Sequence, residues 1–171
     1  QVALITGGNS GIGLGMAQAV AEAGADVVIW GTNAEKNAKA LAQLAPSGRK
    51  LRSFQCDVSK ESEVEEVFAK SLAEMGKIDA CFANAGVGGG GKKSFVEMSA
   101  DEWRRVMAVN LDGTFYTFRA AARHLVERGQ GGRLIGTASL AAIEGAARNE
   151  HYGATKGGMV SMIRALAVEF A

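Results

Sequence analysis

The sequence predicts an α/β fold, a doubly wound parallel sheet covered by helices on both faces, and two patterns along the chain carry that prediction. Short apolar runs at residues 2–6, 26–31, 50–55, 78–83 and 133–138 alternate with segments near 11–24, 34–45, 59–76, 100–128 and 151–170, whose apolar residues recur at helical spacing. The first two runs have continuously apolar centres, Val2-Ala3-Leu4-Ile5 and Val27-Val28-Ile29-Trp30, which suits parallel strands buried on both faces. Crossovers in such a repeat are right-handed, so functional residues are expected on strand-to-helix connections, where the strand order reverses.

The boundaries have their own signals. Ser99 with Glu102 three residues on resembles a capping box opening the fourth helical segment, Gly24, Gly48 and Gly76 stand where helices stop, and the one proline, Pro46, falls in a connection. A biased stretch, 86–93, contains four consecutive glycines after the fourth strand; it reads as a mobile connector or as a loop flexing over a bound ligand. The chain starts inside a strand and stops within a helical pattern. It is therefore expected to be one domain, 1–171, lacking its C-terminal strands.

Composition excludes several classes of function. A formal charge of +1, with basic residues scattered among acids, leaves no footprint for nucleic acid. The sequence has no apolar stretch of the roughly 18 residues needed to span a bilayer and no leader pattern, so a cytoplasmic protein is expected. Cys56 and Cys81 lie in or beside apolar runs and read as small buried thiols, with no metal site implied.

Directly after the first strand comes Thr6-Gly7-Gly8-Asn9-Ser10-Gly11-Ile12-Gly13. Glycines at 7, 11 and 13 let the backbone turn sharply and bring N–H groups of a helix N-terminus close to a pyrophosphate. The spacing is TGxxxGxG rather than GxGxxG, because Met16 stands where the last glycine would be needed. Ser139 follows the fifth strand, and Tyr152 and Lys156 lie four residues apart on one face of the last helix. A free tyrosine is a poor proton acceptor at neutral pH and needs a nearby cation to favour the phenolate. At about 4 Å and an effective dielectric near 20, the Lys156 charge supplies on the order of 4 kcal/mol toward that.

These residues together resemble the short-chain dehydrogenase/reductase family over essentially the whole chain. Thr6, Gly7, Gly11 and Gly13 match its cofactor turn, with Asn9, Ser10 and Ile12 between them; Asn84-Ala85-Gly86 matches its NAG motif; Asn110, Ser139, Tyr152 and Lys156 match its catalytic tetrad. The resemblance implies a Rossmann-like domain and an NAD- or NADP-dependent oxidoreductase acting on a secondary alcohol or ketone, with a 3-oxoacyl thioester, small ketone or sugar as candidate substrates. By it, Tyr152 is the acid or base, Ser139 binds the substrate oxygen, Lys156 binds the nicotinamide ribose, and Asn110 holds a water in a proton relay. Asp57 and Val58 fall at the adenine and Asn84 beside the adenosine ribose; Asp57 also reads as a turn cap before Ser59. The family further implies a homodimer or homotetramer, packed through residues such as Ala154, Met159, Met162, Ala165 and Leu166, which an ordinary core face also explains.

At the end of strand two, an acid would mark NAD and an arginine NADP. This chain has Gly31-Thr32-Asn33, with Lys36 as the one candidate partner for a phosphate; the balance tips toward NADP because nothing acidic repels it. His151 reads either as a pocket residue or as an exposed helix start, and His124 as a surface position. Two other functions fit part of the pattern, a dinucleotide-binding regulator without turnover and an epimerase or dehydratase of the extended relatives. The tetrad argues against the first and the TGxxxGxG turn against the second.

Overall fold

The computed structural model describes residues 1–88 and 94–171. Residues 89–93 lie outside them, and with them most of the biased segment 86–93 and its reading as connector or flexing loop. Five strands, β1 (Val2–Thr6), β2 (Asp26–Gly31), β3 (Leu51–Gln55), β4 (Ala80–Ala83) and β5 (Arg133–Gly136), form one sheet in the order β3-β2-β1-β4-β5. Every pairing is parallel. The chain moves outward from β1 to β3 and then returns to the other side of β1, so the order reverses between β1 and β4. The cleft above their carboxyl ends is where such a sheet takes a ligand.

Alternate side chains of the central strands feed two cores. On one face, Val2, Leu4, Val28, Trp30 and Cys81 pack against Val64, Val67 and Phe68 of α3 (Glu61–Met75) and Ala120 and Ala121 of α5 (Gly113–Arg128). On the other, Ala3, Ile5, Val27 and Ile29 pack against Ala17 and Ala21 of α1 (Gly11–Glu22) and Ala40 and Leu44 of α2 (Ala34–Leu44). The two cysteines sit in this interior as expected; burial pushes the Cys56 thiol up to about 12 and raises that of Cys81 as well. Gly24, Gly48 and Gly76 follow helical turns with positive φ, the conformation that favours glycine.

The structure differs from the expected elements at several places. The helix expected over 100–128 is α4 (Ala100–Met107) and α5 joined by a π-helical turn, Ala108–Asp112, in which the backbone bonds skip one residue further. Thr114 Oγ1 donates to the Asn110 carbonyl at 2.8 Å and Gly113 lies against Val58, so tertiary packing sustains a turn that helical periodicity does not reveal. Ser99 does cap α4 by accepting from Glu102 N–H; a reciprocal capping box is formed one short turn earlier, between Ser94 and Glu97.

β4 begins at Ala80 rather than residue 78, because Ile78 donates its N–H to His124 Nε2 and offers its carbonyl to Arg128. His124 is accordingly not a plain surface residue: it is half-buried, stacks edge-on with Phe68, and burial holds its pKa below the usual imidazole value. β5 ends at Gly136 instead of residue 138, since Thr137 uses its side chain and carbonyl elsewhere, as described below. Finally, Met159 of α6 (Glu150–Glu169) is fully buried against Gly136 and belongs to this chain's own core.

Trp30 is the largest fully buried side chain, and its indole N–H donates to Ser71 Oγ at 3.0 Å. Ser71→Ala leaves that donor buried without its acceptor. The variant is expected to lose about 1–3 kcal/mol of stability, read as a lower urea midpoint with an unchanged m-value.

Candidate active site

A cavity of about 740 Å³ runs along the carboxyl ends of β2, β1 and β4 toward α6. Its floor at one end is the glycine-rich turn. Gly7 and Gly11 have φ of 64° and 52°, which favours glycine at both, and a Cβ at Gly13 would clash with the Gly7 carbonyl. Ser10 caps α1 without a side-chain hydrogen bond, and the first helical bond is Leu14 N–H to the Ser10 carbonyl. The N–H groups of Gly11, Ile12 and Gly13 thus precede the ladder, at the positive end of a helix dipole. Gly7, Asn9, Ser10, Ile12 and Gly13 all line the cavity.

Thr6 has a different part. It is 1% exposed, and its hydroxyl oxygen accepts from the N–H groups of both Asn84 and Ala85 at 3.0 Å, fixing the turn after β4 to β1. Asn84 completes the link: its Nδ2 donates to the Thr6 carbonyl at 3.1 Å, and its Oδ1 accepts from Thr137 Oγ1 at 3.1 Å beyond β5. Ala85 and Gly86 line the cavity beyond it. Val87 is then held at both backbone groups by Asn110, whose Oδ1 accepts from its N–H at 2.8 Å and whose Nδ2 donates to its carbonyl at 2.9 Å. Asn110 is fully buried in the π-helical turn and also reaches Thr155 Oγ1 at 3.4 Å.

α6 carries the other end of the site. Lys156 is 3% exposed; its Nζ donates to the Thr137 carbonyl at 2.6 Å and stands 5.7 Å from the centre of the Tyr152 ring. Burial pushes its pKa below the usual 10.5. Thr155 Oγ1 donates to the Tyr152 carbonyl at 2.7 Å, so Asn110, Thr155 and Tyr152 form a continuous run. Ser139 caps the short 3-10 turn Leu140–Ala142 by accepting from Ala141 N–H at 3.2 Å, which leaves its hydroxyl hydrogen available. α6 lies close on that turn, with a Cβ at Gly153 reaching within 3.2 Å of the Ala141 carbonyl. His151 at the head of α6 is fully buried, which removes the reading of it as an exposed helix start.

At the end of the cavity after β3, Asp57 and Val58 both line it, and Asp57 also caps the turn by accepting from Ser59 N–H and Oγ. Gly31, Thr32, Asn33 and Lys36 form the rim after β2, with Asn33 capping α2 through Lys36 N–H. Sequence reasoning missed Asn37, Thr137, Thr155 and the cavity-lining Arg105. Asn37 had a legible sign: it falls on the buried stripe of α2 with Ala40 and Leu44, where an amide needs partners. Among the described residues no cluster of three or more His, Cys, Asp or Glu could hold a metal, and no helix is long and apolar enough to cross a membrane.

Comparison with known proteins follows this geometry. The model of a family described as short chain dehydrogenase matches residues 1–171. The chain is 33% identical over 171 residues to the 2-dehydro-3-deoxy-D-gluconate 5-dehydrogenase of Escherichia coli K12, covering 100% of this chain and 66% of that protein. Among solved structures it superposes on an NAD+-bound xylitol dehydrogenase with a TM-score of 0.92 at 31% identity, over 99% of this chain and 64% of the other. It likewise matches an alcohol dehydrogenase from the archaeon Thermococcus sibiricus complexed with 5-hydroxy-NADP, with a TM-score of 0.91 at 30% identity, over 99% and 71%.

The buried ammonium has a measurable consequence. With its folded pKa below 10.5, Lys156 binds fewer protons folded than unfolded in the interval between the two values, so its contribution to stability rises as pH rises through that interval. Lys156→Met is expected to remove this dependence: the stability of the variant relative to the wild type is greatest below the folded pKa of Lys156 and declines toward pH 10.5, followed by urea unfolding at stepped pH.

Proposed function

The chain belongs to the short-chain dehydrogenase family, and from that premise we propose that it binds a nicotinamide dinucleotide along the 740 Å³ cavity and transfers hydride between it and a secondary alcohol or ketone. The observation that carries this reading is the run of hydrogen bonds joining the glycine turn to Lys156 through Thr6, Asn84 and Thr137, with the Lys156 ammonium 5.7 Å from the centre of the Tyr152 ring. The cradle fits a diphosphate: Gly7 and Gly13 admit no side chain, and the N–H groups of Gly11 to Gly13 precede the helical ladder beside it. The chain spans about 66% of the length of the 2-dehydro-3-deoxy-D-gluconate 5-dehydrogenase it matches.

When bound, the nicotinamide gives or takes the hydride. Charge develops on the substrate oxygen during that transfer, and a proton must move with it. In this proposal Tyr152 moves that proton through its hydroxyl, and Ser139, with its hydroxyl hydrogen uncommitted, donates to the same oxygen. Lys156, held by the Thr137 carbonyl, places a positive charge against the Tyr152 ring and binds the nicotinamide ribose. Asn110 keeps the strand-four loop in place and orders a water behind the lysine. Asp57 and Val58 take the adenine, and Asn84, Ala85 and Gly86 pack by the adenosine ribose.

Either nicotinamide dinucleotide fits the rim after β2, with NADP the better match because no carboxylate stands at Gly31-Thr32-Asn33 and Lys36 is beside it. For the substrate we propose a small ketone, a sugar or polyol, or a 3-oxoacyl thioester. A cytoplasmic homodimer or homotetramer is the working form.

The test is NAD(P)H oxidation by the full-length protein against a panel of ketones and 3-oxoacyl thioesters; dinucleotide binding with no oxidation of any of them favours a regulator instead. Tyr152→Phe is expected to lower kcat by about 10²–10⁴-fold while leaving the Kd for NADPH nearly unchanged, as a group acting only in the chemical step should. Full turnover in that variant contradicts the mechanism.

A further inference from the structure

We infer that Asn37 is a positioning residue that turns Asn9 into the acceptor for the hydroxyls of the adenosine ribose, an assignment that rests on the dinucleotide reading above. Asn37 is 3% exposed on the inner face of α2. Its Nδ2 donates at 3.1 Å to two backbone carbonyls, that of Gly31 at the end of β2 and that of Phe54 on β3. Two carbonyls are satisfied only by a donor, so the orientation of this amide is fixed from behind. Its Oδ1 must face the glycine turn, where it accepts from Asn9 Nδ2 at 2.7 Å.

That bond commits Asn9 in turn. With one of its two amide hydrogens on Asn37, its Oδ1 is turned away from α2, on a residue that lines the cavity beside Gly31 and Thr32. The neighbouring Ser10 hydroxyl meets that oxygen at 3.5 Å, the outer limit of a hydrogen bond, so acceptor capacity remains. The same pair determines what position 31 can hold: a Cβ there would lie 2.1 Å from Asn9 Nδ2 and 2.7 Å from Asn37 Oδ1. A ribose-binding carboxylate on residue 31 therefore enters only if the Asn9 amide moves off Asn37. A neutral acceptor receives a ribose hydroxyl without the repulsion that a carboxylate exerts on a 2′-phosphate, which explains how the end of β2 lacks an acid and still reads the sugar.

The experiment is calorimetric titration of the intact protein with ADP and with 2′,3′-dideoxy-ADP, for the wild type, Asn9→Ala and Asn37→Ala, with melting temperatures alongside. In the wild type ADP is expected to bind about tenfold tighter than the dideoxy analogue, the worth of one good hydrogen bond. Asn9→Ala should bring the two affinities together with little change in melting temperature, and Asn37→Ala should do the same although Asn37 touches no ligand. A purely structural Asn37 would lower the melting temperature and leave the ratio at its wild-type value, which overturns the proposal. A wild-type ratio near one, or an unchanged ratio in Asn9→Ala, overturns it even if Asn37→Ala does not fold. A wild type that binds none of ADP, NADH and NADPH overturns the dinucleotide reading itself, and this inference with it.

Discussion

Asn84 reaches both ways along the sheet from the carboxyl end of β4, giving its Nδ2 to the Thr6 carbonyl and taking the Thr137 hydroxyl on its Oδ1. The glycine turn and Lys156 are linked through those two bonds. On one side, Thr6 is the last residue before the glycine turn, and its own hydroxyl receives two N–H groups from the turn after β4. On the other, Thr137 hands its carbonyl to the Lys156 ammonium. A single amide thus sets the spacing between the helix N-terminus that suits a diphosphate and the lysine beside Tyr152. Gly13 must be glycine for the same reason, since its Cβ would fall 2.5 Å from Asn84 Nδ2 as well as against the Gly7 carbonyl.

The polar groups that do this are taken out of water, which has a cost. Asn110, Thr155 and Lys156 are each 3% exposed or less, and an unpaired polar group in such a place costs about 1–3 kcal/mol. Each is therefore tied to a backbone group or to another side chain: Asn110 to Val87, Thr155 to the Tyr152 carbonyl, Lys156 to Thr137. Pairing of this density holds side chains in one geometry, as proton transfer requires, at the price of a lysine whose charge is disfavoured by burial. The two hydrophobic cores below supply the rigidity on which this layer rests.

Much of this was legible in the sequence, for physical reasons that differ from element to element. The central strands announced themselves because burial on both faces removes polar residues from them altogether. The glycine turn did so because its steric demands are met by one residue type at fixed spacing. Tyr152, Lys156, Ser139 and Asn110 are read as a set only through the family's spacing; taken singly, a Tyr and a Lys four apart on a helix are an ordinary surface pair. What escaped lay where side chains replace backbone partners. Residues 78 and 137 look like strand, yet Ile78 bonds to His124 and Arg128, and Thr137, while its N–H still reaches the Ala83 carbonyl, gives its hydroxyl to Asn84 and its carbonyl to Lys156. The π-helical turn is invisible to periodicity because it depends on Thr114 and on the fit of Gly113 against Val58. The hidden partnership of Asn9 and Asn37 joins residues 28 apart, and no local pattern links them.

The central claim is that the dinucleotide end and the proton-transfer end are built as one unit through Asn84. A double-mutant cycle on NADPH affinity, with Asn84→Ala, Lys156→Met and the pair, tests it most directly. If the two ends are coupled, the loss in the pair falls short of the sum of the single losses by about 0.5–3 kcal/mol, the range seen for residues in one network. Losses that add would contradict the account, showing two independent halves that share only a sheet.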